Sequence, residues 1–349
     1  METFLQAEER AAGAAFAVSD GCTLPESFAG FLEEYRAARD SAAIFDTSWH
    51  ATYVLKGQDH VRFLNAVVSN NIQALGEGRG AAALLLNPQG RILAEFEIFR
   101  LPDSLLVRTH ASVRARTRET LEKYIIMDDV ELEDISDSLG SFAVEGPHAA
   151  PILREACGIV ITDLPPLSIF DSVVGGVPCQ IIVKSHFDSP GAEFLASRDS
   201  LVRLWPKLLA AVQADGGAPI GMQALNALRL EAGVPWFPAD FNENVIPHEA
   251  ALEESHISYS KGCYTGQEIV ERVRSRGQVN RRRVRLQFSA PMPPEFGAHL
   301  FSAGKEVGLV TSAAFSPQAR AAVGMGYLRR EHIAPGSVVD FDGGTATVL

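Results

Sequence analysis

From Arg283 to the C-terminus, the apolar residues come only in short runs: "VRLQF", "HLF", "EVGLV", "VGMGYL" and "VVDFD", with Gly and Pro between them. Runs of this length bounded by turn residues read as strands, and period-two alternation puts neighbouring side chains on opposite faces of a sheet. The shift of pattern marks a small all-β domain at the end of the chain. A chain of 349 residues that is 46% hydrophobic has enough apolar surface for two or three domains, so the remainder must form a core of its own.

The remainder mixes both periods. Gly57-Gln58-Asp59 precedes Val61, Leu64, Val67 and Val68 at helical spacing, with Asp59 as N-cap. In "AAALLLNPQGRILAEFEIF" two apolar runs flank the turn signal Asn87-Pro88-Gln89-Gly90. Ile92, Ala94, Phe96 and Ile98 alternate with Leu93, Glu95, Glu97 and Phe99, which predicts a hairpin with one carboxylate-bearing face. Helices are expected over 113–125, from about Asp199 with a kink at Pro206, and around "GMQALNALRLEAG" with Gly233 as its stop. Strands are expected at "SFAVEG", "QIIVK" and "AEFLAS".

The formal charge of -12 argues against general binding to nucleic acid or a membrane surface, so an anion site would have to be a local basic patch. The N-terminal "METFLQAEERAAGAAFAV" has acids where a secretory signal needs cations, and no apolar run reaches the length of a membrane span. A cytoplasmic protein is expected. Cys22, Cys157, Cys179 and Cys263 form no CxxC pair, which disfavours a disulfide framework and a structural zinc site. Each is therefore a small buried hydrophobe or a lone reactive thiol.

Cys263 stands out. In "KGCYTGQEIVERVRSRGQVNRRRVR", Thr265-Gly266-Gln267-Glu268 fits a capping box, Ile269, Val270 and Val273 follow at helical spacing, and Gly277 can close the helix. Cys263 then lies just before a helix N-terminus beside Lys261, where the dipole and the cation favour a thiolate. The alternative is an inert cysteine at a helix entry. The arginines at 272, 274, 276, 283 and 285 have two readings of equal weight: cations suited to a helix end and a solvated strand face, or an anion patch. "PHEAALEESH" lacks the His-Glu-x-x-His spacing of a zinc helix, because Leu252 holds the second histidine position, and the scattered histidines read as structural.

"KGCYTGQE" resembles the signature of the folate-binding YgfZ-type proteins, relatives of the glycine cleavage T protein. "FDTSWHATYVLKGQDHVRFLNAVVSNNI", "LLLNPQGRILAEFEIF", "GAEFLAS" and "LRLEAGVPWFPADFNENVIPHEAALEESHISYSKGCYTGQE" extend the resemblance over nearly the whole chain. It implies an α+β fold: two interleaved subdomains in a cloverleaf over 1–280 (about 1–50 with 140–280, and 51–139), followed by a β-barrel over 281–349. It implies tetrahydrofolate as cofactor, iron–sulfur client enzymes as partners, and a role in cluster assembly or repair through Cys263. Lys261 and Tyr264 of the signature are expected near the ligand. Glu193 matches the pterin-binding glutamate: a carboxylate suits the planar donor pair of a pterin as it suits a guanidinium. Arg229 matches an arginine near the folate. Glu95 falls where the aminomethyltransferases carry a catalytic aspartate, and its extra methylene weakens the transferase reading, since a shift of about 1 Å can cost on the order of 100-fold in rate. The alternative function is tetrahydrofolate-dependent aminomethyl transfer in glycine or sarcosine catabolism. A third is a binding module that uses the arginines to grip RNA or a polyglutamyl tail.

Overall fold

The computed structural model describes residues 3–349, so Met1 and Glu2 of the N-terminal stretch lie outside the described residues. The chain forms two compact units. One takes the residues up to Asn65, Ile72–Ala82 and Phe96–Leu225; the other takes Ala66–Asn71, Ala83–Glu95 and Asn226–Leu349. The strands Gly80–Leu86 and Ile92–Arg100 pass from one unit into the other.

In the first unit a six-stranded sheet runs in the order Ile169–Val174, Val177–Val183, Gly191–Ser197, Leu139–Glu145, Ala43–Asp46, Ala218–Pro219. Only the last pair is parallel. The helix Arg198–Ala214 covers it because Leu201, Leu204, Trp205, Leu208 and Val212 recur on one helical face and are all buried. Its first turn is capped by the Ser197 hydroxyl, and the helix continues through Pro206. Phe142 stacks on Phe194 at 5.1 Å and meets Trp205 edge-on at 5.4 Å, geometries that add to the burial of the rings themselves. A second sheet has the order Gly80–Leu86, Ile92–Arg100, Leu105–His110, His50–Lys56, Glu131–Asp134.

Most sequence expectations have a counterpart. The helix after Asp59 spans His60–Val67, and the Asp59 carbonyl accepts the Phe63 N–H. The Asp59 carboxylate, however, accepts the Asp129 N–H rather than capping its own helix. The helix expected over 113–125 spans Arg114–Tyr124. The helix Met222–Ala232 stops at Gly233, whose φ is +78°. Several elements have no counterpart in the pattern above, among them the hairpin Ala15–Ser19/Cys22–Ser27, the helices Phe31–Asp40 and Ala149–Cys157, and the strands Ala43–Asp46, His50–Lys56 and Leu105–His110.

The second unit contains a closed six-stranded barrel, in the order Arg281–Phe288, Ala321–Arg329, Lys305–Ser316, His299–Ser302, Val338–Phe341, Gly344–Val348. Leu286, Phe288, Leu300, Val310, Leu328, Val339 and Phe341 fill it. "VGMGYL" needs its glycines: a Cβ on Gly324 would lie 2.2 Å from the Ser312 carbonyl oxygen. The same unit holds the turn predicted at 87–90, where the Asn87 side chain accepts the N–H groups of Gln89 and Arg91.

Buried acids pin turns of the first unit. Glu34 accepts N–H bonds from Phe28, Ala29, Gly30 and Gly221. Glu145 accepts from the backbone of His186 and Phe187 and from the Ser185 hydroxyl. Glu9 is different. It is fully buried beside Asp46, whose own oxygens are taken by Thr3 and Ser48. Burial first, then the Asp46 charge, pushes the Glu9 carboxyl up to about 11. Glu9 therefore keeps its proton in the folded chain at neutral pH, whereas the unfolded chain releases it. A raised carboxyl contributes stability that is complete below its unfolded pKa and is lost as pH rises toward the folded one. Glu9→Gln should melt progressively higher than the natural chain as pH rises from about 5 to about 9. A melting-temperature gap that does not widen over that range would contradict the proton assignment.

Candidate functional site

In the first unit Glu193, on Gly191–Ser197, meets Arg108, on Leu105–His110, and neither side chain is exposed. The Arg108 guanidinium donates to Glu193 Oε1 at 2.5 Å and to Oε2 at 3.0 Å. Thr47 donates to Oε1 at 2.6 Å. Arg108 also donates to Ser141 Oγ at 3.0 Å and His50 Nδ1 at 2.9 Å, and reaches Glu97 at 3.4 Å. Lys184 closes the cluster on Glu97. Two cations thus face two carboxylates. Burial would raise the Glu193 carboxyl, but Arg108 outweighs it and holds the group well below the usual range. Glu97 is likewise carried down, to about 2, by Lys184 and Arg108 against burial. Burial and then Arg108 keep the His50 imidazole neutral.

This bears directly on a pterin. A pterin offers a carboxylate a planar pair of N–H donors, and a guanidinium offers the same geometry. The Glu193 edge already holds such a pair, from Arg108. The acceptor chemistry fits a pterin, but a ligand using this edge must take the place of Arg108. The pattern "LLVRTH" carries the signal that could have found Arg108: a lone cation inside an otherwise buried strand.

Arg229 of the second unit is also occupied from within. Its guanidinium pairs with buried Asp240, donates to Asn226 Oδ1 at 2.9 Å and to the Val234 carbonyl at 3.2 Å, and lies 4.7 Å from the Trp236 ring centre. It fastens the end of its own helix to the loop that follows. The arginines after position 271 are also largely satisfied: Arg272 by Glu268, Arg274 by Glu271, Arg281 by Glu249 and Arg282 by Glu253. Arg283 and Arg285 donate to the Ala250 and Glu231 carbonyls. Of the two readings of these arginines, the structure supports internal pairing over an open anion patch.

The signature loop differs from expectation at the cap. The helix spans Gln267–Arg276, its N-cap is Gly266 rather than Thr265, and no side chain caps it. Gly266 has φ +83°, and a Cβ there would lie 2.7 Å from the Asn87 carbonyl oxygen. Close packing on the 87–90 turn therefore sets the helix start, and Glu268 turns to Arg272. Cys263 lies three residues before this cap, outside the first turn over which a helix dipole acts. Gly277 ends the helix in the left-handed region as expected.

Cys263 is exposed, Cys22 and Cys179 are buried, and Cys157 is intermediate. Lys261 is buried, donates to the Val68 carbonyl at 2.5 Å and sits 4.9 Å from the Tyr264 ring centre. Burial lowers its ammonium to about 8, with Cys263 opposing. The buried Tyr264 hydroxyl has no hydrogen-bond partner among the described residues.

Glu95 sits on the face predicted to bear carboxylates, with its side chain 32% exposed. His256 Nε2 lies 3.0 Å from its Oε1. The sequence pattern gives His256 no role beyond structure, because residue 95 is 161 positions away.

The sequence matches the GCVT N-terminal domain over residues 5–256 and the glycine cleavage T-protein C-terminal barrel domain over 281–347. The chain belongs to the glycine cleavage T-protein family. It is 27% identical to the aminomethyltransferase of Geobacillus sp. (strain WCH70) over 317 residues, covering 89% of this chain and 85% of that one. It is 28% identical to the aminomethyltransferase of Chlorobium chlorochromatii (strain CaD3), covering 91% and 87%. The crystal structure of glycine cleavage system aminomethyltransferase T from Bartonella henselae superposes with a TM-score of 0.91 at 24% identity, covering 100% of this chain and 96% of that one. The expected α+β fold with a C-terminal barrel is thus the family's fold. Among the described residues no helix is long and apolar enough to cross a membrane.

Two outcomes follow. Arg108→Met and Glu193→Met should each cost about 3–5 kcal/mol in urea unfolding, because each strands a buried charge, while the double variant should recover much of the loss. Additive losses would contradict a closed pair. Under native conditions near pH 8, iodoacetamide should modify one thiol rapidly, and Cys263→Ser should remove that event. Burial pushes Cys157 and Cys179 up to about 11, which leaves their thiols protonated and slow. Rapid labelling that survives Cys263→Ser would refute the assignment.

Proposed function

We propose that the chain is a cytoplasmic tetrahydrofolate-binding protein that supports assembly or repair of iron–sulfur clusters in client enzymes, with Cys263 as its working group. The observation that carries this reading is the thiol itself: the only exposed one of four cysteines, within the signature "KGCYTGQE", in a chain of a folate-using family. Glutamate at position 95, where the aminomethyltransferases hold an aspartate, also favours it. When bound, tetrahydrofolate supplies a ring nitrogen able to carry a one-carbon unit. Of the chain's own groups, Glu95 presents a partly exposed carboxylate and Cys263 a reachable sulfur. The Lys261 amine can exchange a proton near neutral pH, since its pKa is lowered to about 8.

The second reading is tetrahydrofolate-dependent aminomethyl transfer. The names of the relatives favour it: aligned over about nine-tenths of this chain, they are called aminomethyltransferases. Glu95 would then take the place of the catalytic aspartate.

Two assays separate the readings. In cells lacking the natural chain, Cys263→Ala should fail to restore iron–sulfur client activity under oxidative stress, whereas the natural chain restores it. The purified protein should release no tetrahydrofolate-dependent ammonia from an aminomethyl-lipoyl carrier. Full rescue by Cys263→Ala would sink the first reading, and clear ammonia release would establish the second.

A further inference from the structure

We infer that His256 is the positioning residue of Glu95, holding its carboxylate for the ligand at that strand face. This rests on the folate reading above, in either of its two forms.

The imidazole is held from two sides. Nε2 lies 3.0 Å from Glu95 Oε1, and Nδ1 lies 2.7 Å from Ser255 Oγ. A carboxylate only accepts, so Nε2 carries a proton and donates it to Oε1. Ser255 can then donate its hydroxyl proton to Nδ1. Its other acceptor is the Leu252 carbonyl, at 3.5 Å. If the ring gains a second proton, the hydroxyl can turn to that carbonyl and accept from Nδ1. The Nε2–H bond to Glu95 survives in both states.

The backbone of His256 is fixed as well. Its N–H donates to the Leu252 carbonyl at 3.0 Å, and its own carbonyl accepts the Ser69 hydroxyl at 2.6 Å. Ser69 is fully buried and accepts the Leu84 N–H at 2.8 Å. The backbone that carries the ring is thus tied in place, and the ring itself is bonded to Ser255 on the side away from Glu95.

The imidazole is nearly buried, at 9% exposure, while Glu95 is 32% exposed. This is the arrangement of an inner group that orients an outer one. Glutamate has one more rotatable bond than aspartate, so without His256 its carboxylate would sample several positions. A hydrogen bond to a charged group is among the stronger ones, and anchoring Oε1 leaves Oε2 as the oxygen turned to a ligand.

The test uses the full-length chain. In the ligand-free protein, nitrogen NMR of the His256 ring should show the Nε2–H tautomer with slow proton exchange, and Glu95→Gln should shift that resonance. Calorimetry with tetrahydrofolate should then show His256→Leu binding about tenfold or more weakly than the natural chain. His256→Gln, which keeps an N–H donor, should stay within about threefold. Melting temperatures identify any variant that merely unfolds. An Nδ1–H tautomer, or equal affinity of His256→Leu and the natural chain, overturns the inference. If the natural chain takes up no tetrahydrofolate, the folate reading fails, and the tautomer and its response to Glu95→Gln still decide whether His256 holds Glu95.

Discussion

The pairing of Arg108 with Glu193 is the constraint on which the first unit rests. It joins the five-stranded sheet, which bears Arg108, Glu97 and His50, to the six-stranded sheet, which bears Glu193. Charges this deep are tolerated only when each is paired and hydrogen-bonded, because removing one partner leaves the other with its full desolvation cost. Thr47, Ser141 and Lys184 complete that satisfaction. The result has a functional edge. The Glu193 carboxylate, whose acceptor chemistry suits a pterin, is already occupied by the chain's own guanidinium.

The same economy recurs elsewhere. Glu34 and Glu145 are buried acids satisfied chiefly by backbone N–H groups, and Asp240 takes Arg229, the Trp236 N–H and the Thr311 hydroxyl. Each ties a turn to a distant segment. A net charge of -12 therefore does not describe an evenly acidic surface, since several carboxylates act as internal acceptors. The arginine-rich end of the signature segment is muted in a similar way by Glu249, Glu253, Glu268 and Glu271.

Periodicity in the sequence reveals the barrel, the 87–90 turn and the alternation that puts Glu95 and Glu97 on one strand face, because each depends on neighbours a few residues apart. It also reveals Gly277 as a helix stop. It does not show that Gly266, not Thr265, begins the helix, because the cause is a backbone contact with Asn87, 179 positions away. Long-range partners are hidden in general: Arg108 finds Glu193, and His256 finds Glu95, only after the strands are placed. Glu193 and Arg229 are suggested by resemblance as ligand contacts, and the structure places both in internal ion pairs. Exposure separates Cys263 from the other three cysteines, which sequence spacing alone cannot do.

The most direct measurement is side-chain nitrogen NMR of Arg108 in the ligand-free protein. A closed cluster predicts separately resolved, slowly exchanging Nη protons, as for a guanidinium locked on a buried carboxylate. A single averaged, rapidly exchanging Nη resonance would mean that Arg108 leaves Glu193 open, and the carboxylate would then be free for a pterin.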